Sequence, residues 1–157
     1  MTVTVIPATL NDVEFIAHVL YCIHVQADGE AQGETEASWA VGAKNAATEQ
    51  VLGLVEGSVT YVVKAGAEPV GRLRVVRTDR RLEIAGIQIL PDHQRKGVGT
   101  AVITMLLQEA RERVVPAVLQ VSKTNPEAER LYTRLGFRRS GHEDEHDYWM
   151  ITGGRWE

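Results

Sequence analysis

The chain has one cysteine, Cys22, in 157 residues, so no intrachain disulfide can form, and cysteine usage fits a reducing compartment. No neighbouring pattern activates Cys22, which reads as a small helix-packing residue rather than a nucleophile. No apolar run reaches the roughly 18 residues of a membrane span, and the N-terminal MTVTVIPATLNDVEF lacks the basic and long apolar regions of a signal peptide. A cytoplasmic protein without a membrane partner is the expectation. Basic residues are in the minority, with a formal net charge of −4, which argues against a nucleic-acid partner held by a broad basic face. Repeats, low-complexity tracts and linkers are also absent. The expectation is one domain over residues 1–157, with an apolar fraction of 44% sufficient for a sizeable core.

The most informative stretch is LEIAGIQILPDHQRKGVGT, Leu82 to Thr100. Ile84, Ile87 and Ile89 give it strand character, and Pro91 ends the ladder because it has no N–H to donate. Helical periodicity follows, with Val98, Val102, Met105, Leu106 and Ala110 on one face of a helix running to about Arg113. A glycine-containing turn between strand and helix suits an anion. First-turn N–H groups lack intrahelical partners, the helix dipole is positive there, and Gly97 and Gly99 carry no Cβ to hold a ligand off. The same glycines also suit a simple turn.

The elements on either side follow from pattern. Val3 to Ile6 reads as a strand stopped by Pro7. Thr9 and Asp12 form a capping-box-like pair before a helix through Val13, Ile16, Ala17, Leu20 and His24. His24 reads as a packed, hydrogen-bonded histidine. Asp28 to Glu36 is a polar loop, and a helix from about Glu36 to Glu56 begins with Trp39, which either packs or lines a site. VTYVVKA, VGRLRVVRT and RLEIAGIQIL form an antiparallel meander, with Arg72, Arg74 and Arg77 read as a solvated face. AVLQVS is the next strand, Asn125 and Pro126 start a helix that Gly136 ends, and two strands around HEDEHD close the chain. The compact run His142 to Asp147 matches no metal-site spacing and reads as a solvated hairpin, so no metal is expected.

Gln94-x-x-Gly97-x-Gly99 after an apolar strand resembles the acetyl-coenzyme A signature of the GNAT superfamily of N-acyltransferases. It matches neither the dinucleotide fingerprint nor the P-loop. NPEAERLYTRLGF, with Asn125, Ala128, Leu131, Tyr132, Gly136 and Phe137, resembles the second block of the same superfamily. The element order β-α-α-β-β-β-α-β-α-β-β is that of its mixed α/β fold, a mostly antiparallel twisted sheet flanked by helices, so the resemblance covers nearly the whole chain.

The resemblance implies acetyl-CoA as acyl donor and a small-molecule primary amine as acceptor, joined by direct attack in a ternary complex. It implies that the backbone of Gln94, Arg95, Lys96, Gly97, Val98, Gly99 and Thr100 holds the pyrophosphate. Ile87, Gln88, Ile89 and Leu90 would run along the pantetheine arm. Asn125 and Ala128 would adjoin that arm, and Arg134 would meet the 3′-phosphate. Tyr132 corresponds to the tyrosine directed at the cofactor sulfur. Glu83, on the central strand and by alternation sharing a face with Ala85, Ile87 and Ile89, is the candidate base, or else it pairs with a neighbouring arginine. The acidic hairpin is expected to hang over the acceptor side and, with Glu83, to favour a cationic amine. Transfer to protein or peptide amines, and a non-catalytic coenzyme A-binding module, stand as alternatives. A homodimer is the assembly common in such families.

Overall fold

The computed structural model describes residues 2–29 and 31–156; Glu30, inside the expected 28–36 loop, lies outside them with Met1 and Glu157. β1 (Val3–Pro7) leads through a 3-10 turn (Leu10–Asp12) into α1 (Val13–Asp28) and then α2 (Glu36–Val51). The meander β2 (Ser58–Ala65), β3 (Glu68–Arg77) and β4 (Leu82–Ile89) follows. A 3-10 turn (Pro91–His93) and α3 (Val98–Arg113) lead to β5 (Ala117–Ser122), α4 (Pro126–Arg134), β6 (Arg138–Glu143) and β7 (Asp147–Thr152). The element order is the one read from the sequence. The expected capping pair forms, the Thr9 N–H donating to Asp12 at 2.8 Å. A second one, Thr35 with Ser38, opens α2. α2 stops at Val51 rather than near Glu56, because the Leu52 and Gly53 N–H groups close onto the carbonyls of Thr48 and Gln50.

The strands form one sheet in the order β1-β2-β3-β4-β5-β7-β6, with β4–β5 its parallel pair. Strand alternation divides it into two faces. On one, Leu73, Val75, Leu82 and Ile84 pack against Val98, Val102, Ile103, Leu106 and Leu107 of α3 in the main core. Each such fully buried side chain contributes roughly 1.5–3 kcal/mol. Met105, expected on that helix face, is exposed, and Ile103 and Leu107 fill the stripe. On the other face, α1 and α2 pack on each other through Val13, Ile16 and Ala47.

The three arginines of β3 do not form a solvated face. Arg72 is 5% exposed, donating Nε and Nη2 to Gln50 Oε1 at 3.0 and 2.6 Å and Nη1 to Gln88 Oε1 at 2.6 Å. The cause is α2, whose Gln50 covers it. Burial, then Arg74 nearby, lowers its pKa to about 10. Arg74, two residues on and on the same face, donates to Ser58 Oγ at 3.0 Å. Arg77, of opposite parity, meets α3 instead.

Arg77 and Glu109 form a bidentate pair at 2.7 and 2.9 Å, with Tyr61 Oη accepting a third bond at 2.8 Å. Arg77 holds the Glu109 carboxyl below its usual range. Because the folded pKa is depressed, the pair's contribution is complete above the unfolded carboxylate value of ~4.3 and is lost as pH falls through the lower folded value. Glu109→Gln should therefore cost about 1–2 kcal/mol at neutral pH, allowing for partial exposure. Thermal unfolding at a series of pH values should show that deficit shrinking below about pH 4. A deficit unchanged between about pH 7 and 3 would mean the charge of Glu109 plays no part.

Candidate active site

β4 and β5 pair over only three positions, Leu82 with Ala117, Glu83 with Val118 and Ile84 with Leu119. Beyond Ile84 a β-bulge interrupts the β3–β4 register: Val75 faces Ile84 while Arg74 faces Gly86, leaving Ala85 as the extra residue. The strands part there, and a cleft of about 190 Å³ opens, lined by Glu83 to Gln88 of β4, Leu119 and Gln120 of β5, and Tyr132 of α4. The β4 edge that β5 leaves is free to bond an extended ligand.

The bulge also corrects the face assigned to Glu83. Unbroken alternation would align Glu83 with Ala85, Ile87 and Ile89. One inserted residue instead puts it on the face of Gly86 and Gln88, with Arg72, Arg74 and the α1–α2 layer. Tyr132 approaches from the other face. Its ring packs edge-on to Phe137 at 6.1 Å against the main core, and burial pushes its phenol pKa up. The two candidate catalytic side chains thus border one opening from opposite sides of the sheet. Gly86 keeps the floor low: a Cβ there would come 2.6 Å from Arg72 Nη1.

At the end of β4 the chain turns through Arg95 and Gly97, both with positive φ (61° and 82°), into α3. The left-handed conformation at Gly97 is one that other side chains rarely adopt. The Gln94 N–H bonds the Pro91 carbonyl at 3.2 Å and the Ala101 N–H bonds Gly97 at 3.0 Å. Between them, among the described residues, no backbone N–H from Arg95 to Thr100 reaches a protein acceptor. Cβ positions built on Gly97 and Gly99 meet nothing within 4 Å. The result is a run of unpartnered donors, facing open space, at a helix N-terminus.

Gln94 itself has another task. Its Nε2 donates to the Ile89 carbonyl, and it exchanges two amide bonds with Gln26 of α1, all at 2.9 Å. This clip, which no local pattern foretold, fixes the turn to β4 and α1. Of the residues expected along the pantetheine arm, Ile87 and Gln88 line the cleft. Ile89 is buried in the core with its carbonyl taken, and the Leu90 N–H bonds Val70. Asn125 caps α4, its Oδ1 accepting from the Ala128 N–H at 3.1 Å, and Ala128 packs on the main core. Arg95 pairs with Glu127 at 3.3 Å, bringing the start of α4 to the turn. Lys96 and Arg134 are exposed.

The acidic hairpin does not converge with Glu83. Asp147 pairs with Ser122 while Glu83 pairs with Val118, four residues or ~13 Å along β5. Glu143 is engaged by Lys123 at 3.4 Å, and Asp144 accepts the N–H groups of His146 and Asp147 within its own turn. On the face of Glu83 the nearest charges from β3 are instead Arg72 and Arg74. The expectation of a preferred cationic acceptor loses its basis. His24, as expected, is packed and hydrogen-bonded, stacked on Trp39 at 5.2 Å with Nε2 3.1 Å from Glu34.

Among the described residues, no helix is long and apolar enough to cross a membrane. No curated protein matches the chain. Among solved structures, the PaiA N-acetyltransferase of Thermoplasma acidophilum, in complex with coenzyme A, superposes with a TM-score of 0.76 at 15% identity, covering 98% of this chain and 100% of that one. An acetyltransferase from Thermus thermophilus gives 0.74 at 18% identity, with 96% of each chain covered. A spermidine N-acetyltransferase SpeG chimera from Vibrio cholerae gives 0.66 at 18% identity, covering 97% and 95%. These identities speak for the fold. The family model described as the acetyltransferase (GNAT) family matches residues 19–137, most of the sheet and both glycine-bearing blocks, and the chain belongs to that family of acetyl-CoA-using acyltransferases.

Proposed function

We propose that this chain is a single N-acetyltransferase domain of the cytoplasm that transfers an acetyl group from acetyl-CoA to the primary amine of a small molecule, by direct attack with both substrates bound. The observation that carries the reading is the cleft at the β4–β5 parting, with Glu83 on one side and Tyr132 on the other. When bound, acetyl-CoA supplies the acetyl thioester. The fit is supported by the donors from Arg95 to Thr100 for the pyrophosphate and the free β4 edge for the amide-bearing arm. Asn125, with Oδ1 already accepting from its cap, offers the arm its NH₂ as a donor. Arg134 is the cation proposed for the 3′-phosphate.

A lysine-like amine has pKa ~10.4, so about one molecule in a few thousand is neutral at pH 7. Glu83 accepts the amine's proton, directly or through water. Tyr132 donates a hydrogen bond to the departing sulfur. Burial pushes its phenol pKa up, which favours the protonated hydroxyl that can donate.

Three measurements test these assignments. Gly99→Val adds bulk where nothing protein-derived stands and no positive φ is demanded, so the fold should persist while calorimetry records at least tenfold weaker coenzyme A binding. Unchanged affinity in the folded variant would remove the turn from the site. Gly97→Val is a poorer test, since backbone strain alone would disturb it. Tyr132→Phe should lower kcat by about 10- to 1,000-fold with coenzyme A affinity little changed. A near-normal kcat would reduce the hydroxyl to packing. Glu83→Gln should lose kcat/KM most at neutral pH and recover in part near pH 9, where more amine is neutral. A loss uniform across pH would make Glu83 a positioning residue.

A further inference from the structure

Away from the cleft, three side chains of different metal-ligand types converge on the outer side of the helical layer. His18 and Cys22 lie one turn apart on α1, and Glu36 opens α2. Their ligand atoms all lie within 4.8 Å of one another. Nδ1 of His18 is 2.9 Å from Glu36 Oε1 and 3.9 Å from Cys22 Sγ. A tetrahedral zinc-type centre has bonds of about 2.0–2.1 Å to nitrogen and oxygen and about 2.3 Å to sulfur, which sets donor–donor edges near 3.3–3.6 Å. The two edges from Nδ1 fall on either side of that range, Cys22 Sγ lies 3.5 Å from the other ring nitrogen, Nε2, and closing the set around one ion requires side-chain rotation. Burial first, and then the Glu36 and Asp92 carboxylates, push the Cys22 thiol pKa up; the same carboxylates attract a cation. The His18 and Glu36 side chains are 46% and 50% exposed, open enough for an ion to enter and for solvent to remain bound.

We propose that His18, Cys22 and Glu36 bind a zinc-class divalent cation, with water in the fourth position. One imidazole, one thiolate and one carboxylate are the mixed set that borderline metals accept and hard cations such as magnesium do not. On binding, the Cys22 thiol releases its proton to solvent, and the two anionic ligands balance the ion's charge. The ion would cross-link α1 to the first turn of α2. Because α1 also carries Gln26, the clip on Gln94, the bound ion steadies the layer that flanks the cleft without entering it.

Cobalt(II) titrated into metal-free protein is the direct probe. The expected result is a thiolate-to-cobalt charge-transfer band in the near ultraviolet that saturates at one ion per chain. Cys22→Ser should abolish the band, and His18→Ala and Glu36→Gln should each weaken binding at least tenfold. Zinc should displace cobalt and raise the thermal midpoint of the wild type in proportion to its logarithmic concentration, and fail to do so in His18→Ala. All three residues are at or near the surface, and circular dichroism verifies that each variant is folded. Absence of the band at millimolar cobalt would overturn the proposal. So would wild-type affinity in both His18→Ala and Glu36→Gln, which would leave a lone thiol with adventitious affinity and reduce the cluster to hydrogen bonds.

Discussion

The parallel pairing of β4 with β5 ends after Ile84, and the site depends on that short contact. Had the ladder continued, the backbone groups of Ala85 to Gln88 would be spent on β5 and the sheet would be closed. The bulge at Ala85 twists β4 away from the ladder, and Gly86, next to it, leaves room for Arg72 to lie close beneath. The same inserted residue reverses the parity of β4. Apolar residues face α3 both before the bulge, through Ile84, and after it, through Ile89, while Glu83 faces the α1–α2 layer. A carboxylate and a half-buried phenol are thereby set at one opening from two faces of the sheet.

Arg72 is the costliest group in this arrangement. A guanidinium removed from water with neutral partners loses much of its hydration, and its lowered pKa of about 10 reflects that cost. Glutamine carbonyl oxygens from α2 and β4 offset part of it, through Gln50 and Gln88. The bonds to Gln50 tie α2 to the strand beside the cleft, adding to its packing on α1 through Ala47 and the stack of Trp39 on His24. Its buried residues are Ala43 and Ala47. On the opposite face, the Arg77–Glu109 pair holds α3 to β3 and so supports the helix whose first turn carries the unpartnered donors.

Much of this was legible in the sequence because it is local. The start of α3 follows from a strand, a proline and the glycines Gly97 and Gly99, and the N-cap of α4 from Asn125-Pro126. What stayed hidden is what distant elements impose. Gly86 is the one marker of a bulge inside LEIAGIQIL, and period-two alternation that passes over it puts Glu83 on the wrong face. The interleaved arginines of β3 read as solvated because α2, whose Gln50 covers Arg72, is separated from them by a whole strand. Gln94 belongs to the signature block, yet its side chain works on Gln26, 68 residues earlier. The acidity of HEDEHD was plain, but its distance from Glu83 depends on the β5–β7 register, which pattern alone does not give.

The central claim is that the unpartnered N–H run after β4 and the edge exposed by the β4–β5 parting together receive the acyl donor. Amide chemical-shift mapping during a coenzyme A titration tests it most directly. The account predicts that the largest shifts fall on the amides from Arg95 to Thr100 and on Ala85 to Gln88, with those of β1, β2 and β6 unmoved. Saturating binding with shifts centred elsewhere, leaving the Arg95 to Thr100 amides in place, would contradict it.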